Sequence, residues 1–151
     1  MNTKQIENII EKDPVTRKKF AGVFAENRLP HDVGVYPCGV IANTDPDYKP
    51  GKHWVAFYFC IPQHGEFFDS YGRPPQFYSS NFLNFLSRNS QNWIHNQKTL
   101  QSFYATVCGE YSIFYIMHRA RGVTMNSIVK LFGTDKFRND ESVYRFMSKY
   151  V

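Results

Sequence analysis

A cysteine is a strong nucleophile once it loses its proton, and this chain has three: Cys38, Cys60 and Cys108. Cys60 ends an apolar run and Cys38 follows Pro37, contexts that suit small buried hydrophobes. Cys108 differs. The polar loop Gln101-Ser102-Phe103-Tyr104-Ala105-Thr106 leads up to it, Gly109 follows it, and residues 111–117 read as a helix apolar nearly all round. A thiol at a helix N-terminus meets free N–H groups and the positive end of the helix dipole, and both favour thiolate. Gly109, without a Cβ, lets another chain come close to the sulfur. Taken alone, Cys108 is also open to a packing role.

A thiolate nucleophile needs an imidazole, and the imidazole needs a carboxylate or amide to orient it. Of the five histidines, His118 falls inside the buried helix, His31 and His64 sit in loops, and His95 has no distinctive context. His53 opens the strongest strand pattern, His53 to Ile61, with Trp54 next. A second strand pattern, Gly65 to Asp69, follows after Pro62-Gln63-His64. In a hairpin the start of one strand lies beside the end of the next, so His53 and Asp69 are expected together at one sheet edge. In isolation, Asp69 reads as a turn residue. Gln101, seven residues before Cys108, completes the set as a donor for the negative oxygen of an acyl-transfer intermediate, with the Cys108 backbone N–H as the second.

The elements that must hold these residues are legible in outline. Asn2 or Thr3 caps a helix to about Lys12, which Asp13-Pro14 ends. Residues 20–37 read as irregular, and Gly39 to Ala42 as a short buried strand before a turn-rich loop over 43–51. Ser79 or Ser80 caps a helix with Phe82, Leu83, Phe85 and Leu86 inward; Trp93 to Gln97 is a further strand. The buried helix runs from Cys108 to Arg121 with Gly122 just past its end, and Thr124 to Phe132 and Asp140 to Tyr150 follow as amphipathic helices. Strands flanked by helices predict an α+β fold, in a single domain over residues 1–151.

Composition narrows the classes. The chain has 14 Phe, 10 Tyr and 2 Trp, enough to build a small core around rings and leave some to line a groove. No apolar run reaches the 18 or so residues of a membrane span, and the first residues lack the apolar stretch of a secretory signal. An odd cysteine count without a CxxC pair speaks against a disulfide framework or a cysteine zinc site, and a reducing compartment is expected. The net charge of +5 gathers mostly in the last third, which permits a polyanion partner without requiring one.

Gly51-Lys52-His53-Trp54, Phe68-Asp69-Ser70-Tyr71-Gly72, Gln101 and Cys108-Gly109 occur in the order His, Asp, Gln, Cys. Together they resemble the adenovirus-type cysteine endopeptidases (adenain), which are related to SUMO-specific proteases and to proteases of Maverick/Polinton transposons. The interval of seven from Gln101 to Cys108 matches the adenovirus type, as does Asn43-Thr44-Asp45 ahead of the histidine. The resemblance spans residues 20–122. It implies a papain-related fold: a mostly antiparallel central sheet against a buried helix bearing Cys108, with helices at both ends. It implies a triad of His53, Asp69 and Cys108 with Gln101 as oxyanion donor, and a substrate groove narrowed by Trp54 beside Gly109. That groove favours glycine at the cleaved bond. It further implies a protein or polyprotein substrate such as a capsid precursor, in the virion and the host nucleus or cytosol. No metal or membrane is involved, and an activating peptide or DNA is allowed. No cysteine precedes Gln101 where adenain is disulfide-linked to its activating peptide, and the chain is shorter after Asp69 and at its end. Two other readings stay open. One is a protease for ubiquitin-like modifiers; the other is a basic, aromatic-rich module that binds nucleic acid or capsid without catalysis.

Overall fold

A computed structural model describes all 151 residues. Its centre is a five-stranded sheet in chain order: β1 (Phe20–Ala25), β2 (Cys38–Asn43), β3 (Trp54–Ile61), β4 (His64–Phe68) and β5 (Asn92–His95). Helices α1 (Thr3–Glu11) and α2 (Pro14–Arg17) precede it, and α3 (Ser80–Asn89) connects β4 to β5. Then come α4 (Cys108–Ala120), α5 (Met125–Val129) and α6 (Lys136–Met147).

Strand β3 shows why the sheet is central. Alternate side chains point to opposite faces, and both faces are covered, so the strand reads as one apolar run. Trp54, Ala56 and Tyr58 join a core with Ile6, Ile10, Tyr115, Ile116 and Val143, contributed by α1, α4 and α6. Val55, Phe57 and Phe59 join a second core with Phe82, Phe85 and Leu86 of α3. Phe57 meets Phe67, Phe82 and Phe85 edge-on at centroid distances of 5.1–5.4 Å, the geometry that ring quadrupoles favour. Helix α4 lies against β3 and is buried from Tyr111 through Met117. Tight packing lets it approach β2, where a Cβ on Gly39 would stand 3.0 Å from Ile116.

The α+β class and the buried helix are as the sequence predicts, and the sheet is more mixed. Its two inner pairings, β2–β3 and β3–β4, are antiparallel, while β1–β2 and β4–β5 are parallel. The parallel pairs are those reached through long connections, residues 26–37 and the segment containing α3, as a parallel pairing requires. The first of these corrects the reading of residues 20–37 as wholly irregular, because Phe20–Ala25 pairs with β2. At the far end Asp135, not a residue near Asp140, caps the last helix: its carboxylate accepts the Arg138 N–H at 3.2 Å. No helix is long and apolar enough to cross a membrane.

Candidate active site

The site forms where β3 begins, β4 ends and α4 begins. His53 stands just before β3, and its carbonyl accepts the Thr44 N–H at 2.8 Å. The β3–β4 register pairs Ala56 with Phe68, so its straight continuation sets His53 opposite Tyr71. The two rings do stack there, at 5.0 Å. Asp69 comes back toward the histidine because the chain leaves the ladder after Phe68 and turns, the Gly72 N–H donating to the Asp69 carbonyl at 2.8 Å. Gly72 has φ +72, and a Cβ there would meet the Gln97 carbonyl at 2.7 Å, so the turn demands glycine.

Asp69 is fully buried. One carboxylate oxygen accepts from His53 Nε2 at 2.6 Å and from the Tyr71 N–H at 3.1 Å. The other accepts from the Tyr78 hydroxyl at 2.6 Å and from the Arg73 N–H at 3.1 Å. Asn96 clamps the same residue's backbone, accepting its N–H at 2.9 Å and donating to its carbonyl at 2.6 Å. All these partners except the imidazole are neutral groups, so the carboxylate charge is left to the histidine.

With Nε2 committed to Asp69, Nδ1 is the ring nitrogen left for Cys108. Burial alone would lower the His53 pKa; hydrogen bonding to Asp69 and to Cys108, with the charges of both, overrides it and raises the ring to about 9. Tyr78 is pushed far above the ordinary phenol range, by burial first and then by Asp69, so it remains a proton donor to the carboxylate. Cys108 itself is the first residue of the 13-residue helix α4, and no side chain caps that helix. The sulfur therefore stands at the positive end of the helix dipole, while the first-turn N–H of Glu110 is engaged by its own carboxylate.

Gln101 is buried in the loop before α4. Its Oε1 accepts the Ser70 hydroxyl at 2.6 Å, and its Nε2 donates to the Ala105 carbonyl at 2.8 Å. Trp54 packs over the start of α4: its indole N–H donates to the Met1 carbonyl at 2.9 Å, and a Cβ on Gly109 would meet its ring at 3.3 Å. Thus the space above Gly109 is filled by Trp54 and Met1 rather than open to another chain. Glu110 turns away from the sulfur. It lines a cavity of about 610 Å³ between α1 and α6, together with Ile9, Lys12 and Met147 and none of His53, Asp69, Gln101 or Cys108. Burial raises its pKa.

His53, Asp69 and Cys108 are brought together, with Gln101 in the loop leading to the sulfur, and Tyr71, Tyr78, Ser70, Asn96 and Asp140 join them unforeseen. Asp140 accepts from Tyr111 at 2.8 Å and from the Ser102 hydroxyl at 2.6 Å, which anchors the Gln101 loop to α6. Tyr71 and Ser70 lie inside the quoted Asp69 segment, the one available signal; Asn96 and Asp140 contact residues 27 and 38 positions away. The three cysteines are unpaired, and no cluster of His, Cys, Asp and Glu could hold a metal ion. Chemically, the arrangement offers a thiol beside an imidazole that is held by a buried acid.

No protein-family model matches the sequence. A cysteine protease of African swine fever virus is 32% identical over 127 residues, covering 73% of this chain and 43% of the relative. A relative from another isolate of that virus, named a SUMO-1 cysteine protease, is 31% identical with the same coverage. The chain thus spans less than half the length of the curated relatives it matches. The crystal structure of the African swine fever virus protease superposes with a TM-score of 0.50 at 27% identity, over 76% of this chain and 44% of that one. The central domain of an uncharacterised Legionella pneumophila protein shares the fold, with a TM-score of 0.52 at 17% identity over 86% and 84% of the two chains. The chain is a homologue of the African swine fever virus cysteine protease, with the papain-like α+β fold of that protein.

Proposed function

We propose that this chain is a cysteine endopeptidase acting on protein substrates of a virus or related element, with structural precursors cleaved at glycine-containing sites as the favoured class. The observation that carries the reading is the buried pair of His53 and Asp69, 2.6 Å apart, against a thiol at an uncapped helix N-terminus. In the reaction, the Cys108 thiolate attacks the peptide carbonyl carbon. A C–S bond forms, and the carbonyl electron pair moves to oxygen, where the Cys108 N–H and Gln101 donate. As the C–N bond breaks, His53 gives its proton to the leaving amine. It then takes one from the water that releases the acyl group. Asp69 keeps the ring in place and stabilises its charged form. Trp54, over the start of α4, and the exposed rings Phe103 and Tyr104, in the loop before it, would border a bound substrate.

The name of one relative keeps a second substrate class in view, ubiquitin-like modifiers with C-terminal glycine. A peptide-library cleavage profile decides between them, run beside glycine-ended ubiquitin-like probes, with Cys108→Ala as control and with and without DNA. Cleavage of peptides with glycine near the scissile bond, absent in the control, is the expected result. Strong labelling by the modifier probe selects the second class. Cysteine alkylation at pH 6 no faster than for an ordinary thiol, with no cleavage, returns the chain to a binding module.

A further inference from the structure

We infer that Ser70 is a positioning residue: its buried hydroxyl fixes which end of the Gln101 amide faces the carbonyl oxygen of an acyl group at Cys108. This rests on the reading of Gln101 as oxyanion donor. A glutamine side chain ends in two groups of similar shape, and only the nitrogen end donates. Ala105 offers a carbonyl, which can only accept, so the Gln101 nitrogen must face it; the bond is 2.8 Å. The Ser70 hydroxyl, which can donate or accept, then meets Oε1 and must donate, at 2.6 Å. One of the two N–H bonds of the amide is used by Ala105 and the other is left for an incoming oxyanion.

Both residues are 1% exposed, so no solvent stands ready to replace either bond. Ser70 grips the loop by its backbone as well, its carbonyl accepting the N–H groups of Leu100 at 2.8 Å and Gln101 at 3.1 Å. Because Ser70 directly follows Asp69, the acid that orients His53 and the amide that meets the oxyanion hang from two consecutive residues. Without the hydroxyl, Gln101 Oε1 is buried without a partner and the amide keeps one anchor of two.

The test uses two reactions of the full chain. In acylation by p-nitrophenyl acetate, the Cys108 sulfur bonds to the acetyl carbon, the C–O bond breaks, and p-nitrophenolate leaves with the electron pair through an oxyanion. In alkylation by iodoacetamide, sulfur displaces iodide at a saturated carbon and no oxyanion forms. Ser70→Ala is expected to slow acylation ~10-fold and leave alkylation within ~2-fold, against ~10²–10³-fold slower acylation for Gln101→Ala. Added to Gln101→Ala, it is expected to cost nothing further, because its effect runs through that amide. Ser70→Cys, close in size and a weak donor, falls between serine and alanine and carries the test if the alanine variant does not fold. Equal losses in both reactions, or multiplying losses in the double variant, overturn the proposal and make Ser70 structural. Unchanged acylation in Gln101→Ala instead overturns the oxyanion reading beneath it.

Discussion

The β3–β4 hairpin carries a histidine–carboxylate pair at each end. At the open end His53 Nε2 meets Asp69 at 2.6 Å; near the turn His64 Nε2 meets Glu66 at 2.9 Å. Both acids are buried. Their other partners separate them. Asp69 is held by backbone N–H groups and a phenol, so its charge is spent on the imidazole. Glu66 accepts a two-pronged grip from Arg119, at 2.8 and 3.1 Å, and a hydrogen bond from Tyr115. A guanidinium neutralises it, and the His64 side chain is 36% exposed. A histidine beside an acid is therefore not yet a site; what else touches the acid decides. Helix α4 serves both ends, with Cys108 at its start and Tyr115 and Arg119 farther along.

The largest effect is expected at the structural pair. Glu66→Gln leaves the Arg119 guanidinium buried with no opposite charge and one acceptor oxygen of two, and breaking a buried pair in this way costs about 3–5 kcal/mol. For a chain of this length that lowers the thermal midpoint by roughly 6–20 °C. Iodoacetamide should still alkylate Cys108 in the folded fraction at close to the original rate. A rate falling in step with the midpoint would show that the two ends of the hairpin act as one unit.

Next comes the acid at the other end. Asp69→Asn keeps the shape and removes the charge, and a loss of about 10²-fold in kcat/KM is expected, the lower range for a disturbed acid–base partner. Its pH signature is more specific. His53 is raised to about 9, above its ordinary 6.5, with burial opposed and outweighed by Asp69 and Cys108. The alkaline limb of cleavage should then lie near pH 9 and move to lower pH in Asp69→Asn. The sign for stability is the same: protonated His53 stabilises the fold in full below about pH 6.5, and this is lost as pH rises through about 9. Thermal midpoints should fall over that window in the original chain and change less in the variant. A limb that stays in place would separate His53 from Asp69.

That the working end could be read from sequence, and much around it could not, has a physical reason. A hairpin ties separation along the chain to proximity in space, so the start of β3 and the end of β4 are neighbours by register, and the turn after Phe68 then brings Asp69 onto His53, 16 residues away. Cys108 is marked by the switch from a polar loop to a helix that is apolar nearly all round. Nothing local marks Asn96 or Asp140, whose roles depend on how β5 and α6 dock. Asp140 has the composition of a helix start, yet its carboxylate is taken by Ser102 and Tyr111 while Asp135 does the capping. Strand β1 was hidden for a different cause. It is a half-buried edge strand with a register irregularity around Gly22, so it lacks alternation, and its short apolar run Phe20–Ala25 is broken by that glycine.

The smallest effect belongs to His64. Its ring is partly exposed, and the carboxylate it touches already has Arg119 and Tyr115, so removing it strips no buried charge of its main partner. His64→Ala should cost about 0–1 kcal/mol, the usual range for an exposed ion pair, and leave cleavage within about 2-fold. The matching change at the other end, His53→Ala, removes the only imidazole within reach of the thiol, and a loss of about 10²–10⁴-fold is expected. Measuring both variants on one substrate gives a ratio that needs no absolute scale. A ratio near one would mean that the partners of the two acids do not set them apart, because two histidines with similar acid contacts would then behave alike despite different neighbours.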